Sequence, residues 1–318
     1  MKALVFRGAR QMVLEDRDAP TVGADQVLVR VRAAGICGSE LEAYSGSSTR
    51  RQPPLILGHE IAVTVDGSDD DLLYAVNPLT SCGVCRMCQT GFPNRCAQRL
   101  LLSLQIDGGH AELLAVDADA LTPLVGVTDP ALAALVEPLA TSVNALGGPE
   151  QVQGARVAVV GCGTLGLMAV RLAALWGAEA VAASDLNDER LSIAQDLGAT
   201  SLMEDPRARF DLVLDMVGSD VTRRTSIALA DRGATVKLVG LSCADSPLPV
   251  VDVISGELTL VGVYAYTPAH FAIAASMIAR DELKLDRIVT RASLSEGPGM
   301  FERLANDPQS LVKVVLEP

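Results

Sequence analysis

No apolar run in this chain is long and unbroken enough to cross a bilayer. Met1 to Asp16 has no apolar core of the kind a secretory leader carries; it reads as a strand followed by charged residues. Positive charge is short: 26 Lys and Arg face 39 Asp and Glu, a formal charge of −13. That balance argues against nucleic acid and anionic membrane as partners. Histidine is scarce, with three in 318 residues, and so is cysteine, with seven. There is no internal repeat and no low-complexity tract. What remains is 49% apolar and 20% charged, a globular composition in a chain long enough for two domains with sizeable cores.

The stretch Ala155 to Asp185 organises the rest. Ala155 to Val160 is a short apolar run with three valines and reads as a buried parallel strand. Gly161-Cys162-Gly163-Thr164-Leu165-Gly166 follows, a G-x-G-x-x-G turn. Leu165 to Trp176 then has helical apolar spacing and closes at Gly177, and Glu179 to Ser184 is a second strand ending on Asp185. The first glycine permits the tight turn, the second lets backbone approach a pyrophosphate, and the third lets helix pack on strand. The helix N-terminus offers N–H groups and partial positive charge to the phosphates. Asp185 is placed to accept hydrogen bonds from the ribose hydroxyls of NAD and to repel the extra phosphate of NADP. A lone glycine turn of this kind could be a tight βα connection with no ligand, but its strand, helix and acid supply the required context.

Four of the seven cysteines fall in Cys82-x2-Cys85-x2-Cys88-x7-Cys96. Four thiolates in one short loop match a closed, tetrahedral, all-cysteine zinc site. A redox-active C-x-x-C pair would explain only two of them, and no thioredoxin-like unit surrounds them. Clustered thiolates on a metal also imply a reducing, cytoplasmic setting rather than a secreted disulfide framework.

The rest of the chain reads as two domains. Lys2 to Phe6 and Gln26 to Val31 are short strands in a β-rich region with irregular loops. Ala131 to Leu146 is a helical stretch broken at Glu137-Pro138, where a charge beside a kink needs a partner. Beyond Asp185, strand and helix alternate through Asp188–Leu197, Phe210–Met216, Val221–Ala230, Ala234–Val239 and Glu257–Tyr264, giving a doubly wound parallel sheet with helices on both faces. A helix at Phe271–Arg280 and a strand at Leu311–Leu316 return to the first domain. The division is therefore 1–137 with 266–318 for a catalytic domain, and 138–265 for a dinucleotide-binding domain.

Gly35-Ile36-Cys37-Gly38-Ser39, Gly58-His59-Glu60, the four-cysteine lobe with Gly91 and Asn94, Val136-Glu137-Pro138-Leu139-Ala140, the nucleotide turn with Asp185-Leu186 and Arg190-Leu191, and Leu260 to Tyr266 occur in this order. Together they resemble the zinc-dependent medium-chain dehydrogenase/reductase family, on its sorbitol/threonine (polyol) dehydrogenase branch, over essentially the whole chain. The resemblance implies a GroES-like catalytic domain beside a Rossmann domain. It implies a catalytic zinc held by Cys37, His59 and an acid, with Glu60 and Glu137 as direct ligand or close neighbour. It implies that zinc acidifies an alcohol, that hydride passes to NAD, and that the proton leaves through the Ser39 hydroxyl. The cofactor would rest on Gly161, Gly163, Thr164, Leu165 and Gly166, with Asp185 and Arg190 at the adenosine ribose and Val239 and Gly240 at the strand end beyond. Arg190 is also placed to be only a helix-surface charge. Cys82, Cys85, Cys88 and Cys96 would hold a second, structural zinc, and the edge strand Glu257–Tyr264 would pair two copies into a dimer or tetramer. His110 and His270 lack such context and read as structural or surface residues.

The chain departs from that pattern in three places. Glu42 stands where relatives often end the proton relay on His, so the relay ends on Glu42 or on water. Ala265-Tyr266 stands where polyol dehydrogenases often have Arg-Tyr, which points away from sorbitol. The segment Ile61 to Tyr74, with acidic Asp66 and Asp69 to Asp71, is short for the family. Two other classes compete: an inactive nucleotide-binding regulator of the same fold, and a zinc-ribbon nucleic-acid binder. Intact Cys37, His59 and Glu137 count against the first, and the charge of −13 against the second.

Overall fold

A computed structural model describes residues 1–68, 71–202, 207–306 and 311–318. Asp69 and Asp70 of the short acidic segment lie outside the described residues. The chain divides into two compact units, one of Met1–Pro138 with Thr267–Pro318 and one of Leu139–Tyr266.

The first unit is built on the strand Gln26–Gly35. Glu60–Val65, Leu113–Asp117 and Lys313–Glu317 all pair with it antiparallel, and Val289–Ser293 extends the sheet beyond Lys313–Glu317. The sequence pattern foresaw this strand only to Val31. Its register shifts between Val31 and Ala33, so the in–out alternation slips there and hides the continuation to Gly35. The extra residues matter: Gly35 is paired with Glu60 on one side and with Val315 on the other. A core of Leu4, Phe6, Tyr44, Leu57, Phe301 and Leu316 packs beneath these strand ends.

The second unit is a six-stranded parallel sheet. Its order is Thr200–Ser201, Ala180–Ser184, Arg156–Val160, Phe210–Asp215, Ala230–Leu238, Thr259–Gly262. The order reverses beside Arg156–Val160, which puts a topological switch point at the carboxyl end of that strand, where ligands of such sheets bind. The doubly wound reading of the sequence holds.

One helical expectation is corrected. The break in the stretch from Ala131 to Leu146 lies at 134–135, between helices Pro130–Ala133 and Val136–Leu146, not at Glu137-Pro138. Pro138 falls in the first turn of the second helix, where its missing N–H leaves no intrahelical bond unmade. Among the described residues, no helix is long and apolar enough to cross a membrane.

Candidate active site and metal centres

Cys37 ends the run after Gln26–Gly35 and is the N-cap of the helix Gly38–Ser45. His59 and Glu60 stand at the start of the paired strand Glu60–Val65. The sheet register thus brings residues 22 positions apart together, and the donor atoms of Cys37, His59 and Glu60 all lie within 4.8 Å of one another. Sulfur, imidazole and carboxylate are a donor set suited to zinc, so the residues present fit the ion that the sequence pattern implies.

The surroundings of the imidazole are as ordered as the cluster itself. His59 Nδ1 lies 2.8 Å from Glu40 Oε1. A buried carboxylate at that distance fixes the hydrogen on Nδ1 and leaves Nε2 to bind a metal. Glu40 Oε1 also accepts from Gly58 N at 2.8 Å and from Ser103 Oγ at 2.5 Å, and Glu40 Oε2 accepts from Cys37 N at 3.2 Å. Burial works to raise the Glu40 carboxyl, but the charge and hydrogen bond of His59, with the charges of His110 and Arg51, together outweigh it and hold Glu40 well below the usual carboxylate range. Burial likewise works to lower His59, and the Cys37 thiolate with Glu40 outweighs it, so the metal-free imidazole is pushed well upward.

Glu60 is held differently. Lys313 Nζ donates to Glu60 Oε1 at 2.7 Å and Oε2 at 2.6 Å, and to the Ile36 carbonyl at 2.9 Å. Both side chains are buried. The lysine neutralises this carboxylate, so Glu60 does not add net negative charge to the cluster. Glu137 is buried in the first turn of Val136–Leu146 and lies outside the Cys37–His59–Glu60 cluster. Ser39 Oγ is 3.5 Å from Cys37 Sγ and also receives a hydrogen bond from Arg51 Nη2 at 3.1 Å. Glu42 is half-buried on the same helix, and that burial raises its carboxyl against the pull of Arg50 and Arg51.

Sequence reasoning missed Glu40, Arg51, Ser103 and Lys313. Only Glu40 left a local trace, since an acid three residues after a helix N-cap is a capping-box position. His110 stays structural: its Nε2 is 3.3 Å from the Gly35 carbonyl and its ring packs edge-on to Phe301. His270 caps its own helix, accepting from Thr267 N at 3.3 Å.

The four-cysteine lobe folds around the short helix Arg86–Gln89 and a two-stranded ribbon of Leu79–Thr80 with Leu100–Leu101. Sγ–Sγ distances are 3.9 Å for Cys82–Cys88, 3.5 Å for Cys85–Cys88 and 3.5 Å for Cys96–Cys82. Tetrahedral zinc with bonds of about 2.3 Å requires sulfurs about 3.8 Å apart, so the lobe fits the ion. All seven cysteines are free, and no C-x-x-C disulfide forms.

In the second unit the glycine turn has the shape a dinucleotide needs. A Cβ on Gly166 would sit 1.9 Å from the Gly161 carbonyl oxygen, which makes the third glycine obligatory for helix–strand contact. A Cβ on Gly163 would meet nothing within 4 Å, so room stands open over the second glycine. Gly163 is the N-cap of the helix Thr164–Leu175 and brings no side chain to fill that end; Leu165 lies in the helix's first turn. Asp185 follows the strand Ala180–Ser184; its Oδ2 accepts from Cys162 N at 2.6 Å and its Oδ1 from Asn187 N at 2.9 Å. Arg190 is half-buried in the next helix, its backbone N–H bonded to the Asn187 cap at 3.0 Å. Val239 and Gly240 N–H groups both donate to the Asp215 carbonyl at 3.0 Å, which closes the strand end against the 217–218 turn.

Residues 23–126 match the family described as alcohol dehydrogenase GroES-like domain, and residues 164–280 match the zinc-binding dehydrogenase family. The chain is 30% identical to L-threonine 3-dehydrogenase of Streptomyces coelicolor over 91% of its length and 92% of that relative. The chain belongs to the zinc-dependent medium-chain dehydrogenase/reductase family. This dehydrogenase is also 28% identical to sorbitol dehydrogenase of Bacillus subtilis, over all of its length and 97% of that relative. A zinc-binding dehydrogenase from Sinorhizobium meliloti bound to NADP superposes with a TM-score of 0.89 at 28% identity, over 100% of this chain and 99% of that one. Membership of the polyol branch makes the chain a zinc-dependent oxidoreductase of alcohols.

Proposed function

We propose that this dehydrogenase moves hydride between a secondary alcohol or polyol and NAD, with Cys37, His59 and a carboxylate from Glu60 or Glu137 holding the reactive zinc. The observation that carries the reading is the sulfur–imidazole–carboxylate cluster, with His59 and Glu60 buried and Cys37 half-buried, in which Glu40 leaves only one imidazole nitrogen available. Zinc bound there would acidify an alcohol, and the nicotinamide would take up the hydride. The protein's own work is then positional. Glu40 orients His59, Lys313 neutralises Glu60, and Ser39 offers a hydroxyl beside Cys37 for the departing proton. The first unit is the catalytic domain and the second binds the dinucleotide, with Gly161 to Gly166 at the pyrophosphate, Asp185 and Arg190 at the ribose, and Val239 and Gly240 towards the nicotinamide.

A second zinc in the Cys82–Cys96 lobe completes two ions per chain, supported by sulfur spacing that suits a tetrahedron. The edge strand Thr259–Gly262 is partly exposed along its length, which supports pairing with a second copy in a homodimer or homotetramer. Seven free cysteines support a reducing, cytoplasmic setting. A panel of secondary alcohols, polyols, amino alcohols and cyclitols with NAD, run with metal analysis, tests the reading. Two zincs and chelator-sensitive NAD reduction by one of these classes are expected; one zinc and no turnover across the panel would refute it.

A further inference from the structure

Arg51 is an unusual residue to find within the first unit. It is 4% exposed, has no acidic side chain within hydrogen-bond distance among the described residues, and spends its guanidinium on two serines. Nε donates to the Ser103 carbonyl at 2.6 Å and Nη1 to the Ser39 carbonyl at 2.7 Å. Nη2 points at the hydroxyls, 3.1 Å from Ser39 Oγ and 3.5 Å from Ser103 Oγ. Ser103 in turn donates to Glu40, the partner of His59.

A guanidinium has donors only and keeps its charge throughout the working pH range. Ser39 Oγ must therefore accept from Arg51, and its own hydrogen must point elsewhere. The Cys37 side, 3.5 Å away, is where the structure puts it. One lone pair of the hydroxyl then remains for an incoming donor. We propose that Arg51 is a positioning residue that fixes the direction of the Ser39 hydroxyl, so that Ser39 can accept the alcohol's proton while releasing its own. The inference rests on the dehydrogenase reading above. In the transfer, the alcohol O–H bond breaks as a new Oγ–H bond forms on that lone pair, while the Oγ–H bond facing the half-exposed Cys37 breaks and its hydrogen passes to solvent water on that side; a turn of the hydroxyl then restores the starting arrangement. Without Arg51 the hydroxyl is free to rotate and to spend its hydrogen on a neighbouring carbonyl.

The test is a double-mutant cycle in the full-length zinc-loaded enzyme, using an alcohol that the unaltered protein oxidises. Arg51→Met lowers kcat by roughly 10- to 100-fold and raises the solvent deuterium isotope effect on kcat, with KM for NAD within about twofold. In a Ser39→Ala background the same change costs no more than about twofold, because the hydroxyl it steers is gone. Zinc affinity by chelator competition stays within about threefold, whereas a role exercised through Ser103, Glu40 and His59 would weaken it by roughly 10-fold or more. Equal losses in both backgrounds, an unchanged isotope effect, or a large loss of zinc affinity would each overturn the inference. Should Arg51→Met fail to fold, Arg51→Lys replaces it: an ammonium keeps the charge but cannot bridge both serines, and the same kinetic pattern is expected. If the unaltered protein oxidises no alcohol, the functional reading falls; if it does and the cycle is additive, only the role of Arg51 falls.

Discussion

Lys313 reaches across 253 residues of sequence to bind both carboxylate oxygens of Glu60, at 2.7 and 2.6 Å, in a site closed to solvent. Burial works to lower the lysine's pKa, but the charge and hydrogen bond of Glu60, with the charges of Cys37 and Glu40, together outweigh it, so the ammonium is held above its ordinary value of 10.5. A raised lysine contributes stability in full below 10.5 and loses it only as pH climbs through the folded value. The lysine's contribution is therefore constant across the neutral range. Lys313→Met leaves a buried carboxylate without its counter-ion and should cost about 3–5 kcal/mol. Adding Glu60→Gln should recover a large part of that loss. Denaturant unfolding of the single and double variants at neutral pH checks this; equal stability of wild type and Lys313→Met would contradict it.

The four-cysteine lobe has little regular structure besides one four-residue helix, one 3-10 turn and a short ribbon. A metal ion is the one strong link available between Cys82, Cys85, Cys88 and Cys96. Cys85→Ser should remove one zinc per chain, lower the thermal midpoint by roughly 5–10 °C, and open residues 79–101 to limited proteolysis. Elemental analysis with peptide mapping reads all three. An undiminished zinc content would count against the lobe as a metal site.

The two metal centres differ in how legible they are, for a physical reason. The lobe is local: four like ligands within fifteen positions announce themselves by spacing. Cys37 and His59 were readable only through a family pattern, since the strand pairing that joins them depends on a register shift at Val31–Ala33. Arg51, Ser103 and Lys313 had no signature at all. Arg51 and Ser103 sit in irregular chain, and Lys313 looks like any charged residue entering a strand; only the fold turns them inward. The misplaced helix break shows the converse. Pro138 suggested a kink where it sits, but a first-turn position absorbs it and the chain breaks at 134–135 instead.

The proposed ribose contact of Asp185 predicts a choice between the two nicotinamide cofactors. Asp185 ends its strand beside the glycine turn, with its carboxylate already fixed by the N–H groups of Cys162 and Asn187. A 2′-phosphate there would meet a negative charge across a short distance, so NAD should exceed NADP in kcat/KM by about 10-fold or more. Asp185→Ala should narrow that ratio mainly by lowering efficiency with NAD. Steady-state kinetics with both cofactors decides it, and equal efficiency in the unaltered enzyme would remove the argument.

The His59–Glu40 pair predicts how the metal-free protein behaves with pH. Glu40 is depressed, so its contribution is present above 4.5 and fades as pH falls through the lower folded value. His59 is raised, so its contribution is full below 6.5 and fades as pH rises through the higher folded value. The metal-free protein should therefore draw most from this pair between pH 4.5 and 6.5. Zinc binding needs a neutral imidazole, so uptake at neutral pH must expel the His59 proton. Calorimetry in two buffers of different ionisation heat should show net proton release that grows as pH is lowered towards 6.5. Glu40→Gln brings two opposed effects: less competition from the proton, and loss of the group that orients the ring. Removing an orienting partner typically costs 10- to 100-fold in metal affinity. At a pH above the raised His59 value the proton no longer competes, so the orientation loss alone should be seen there. An affinity for zinc in Glu40→Gln equal to wild type at alkaline pH would mean that Glu40 does not hold His59 for the metal.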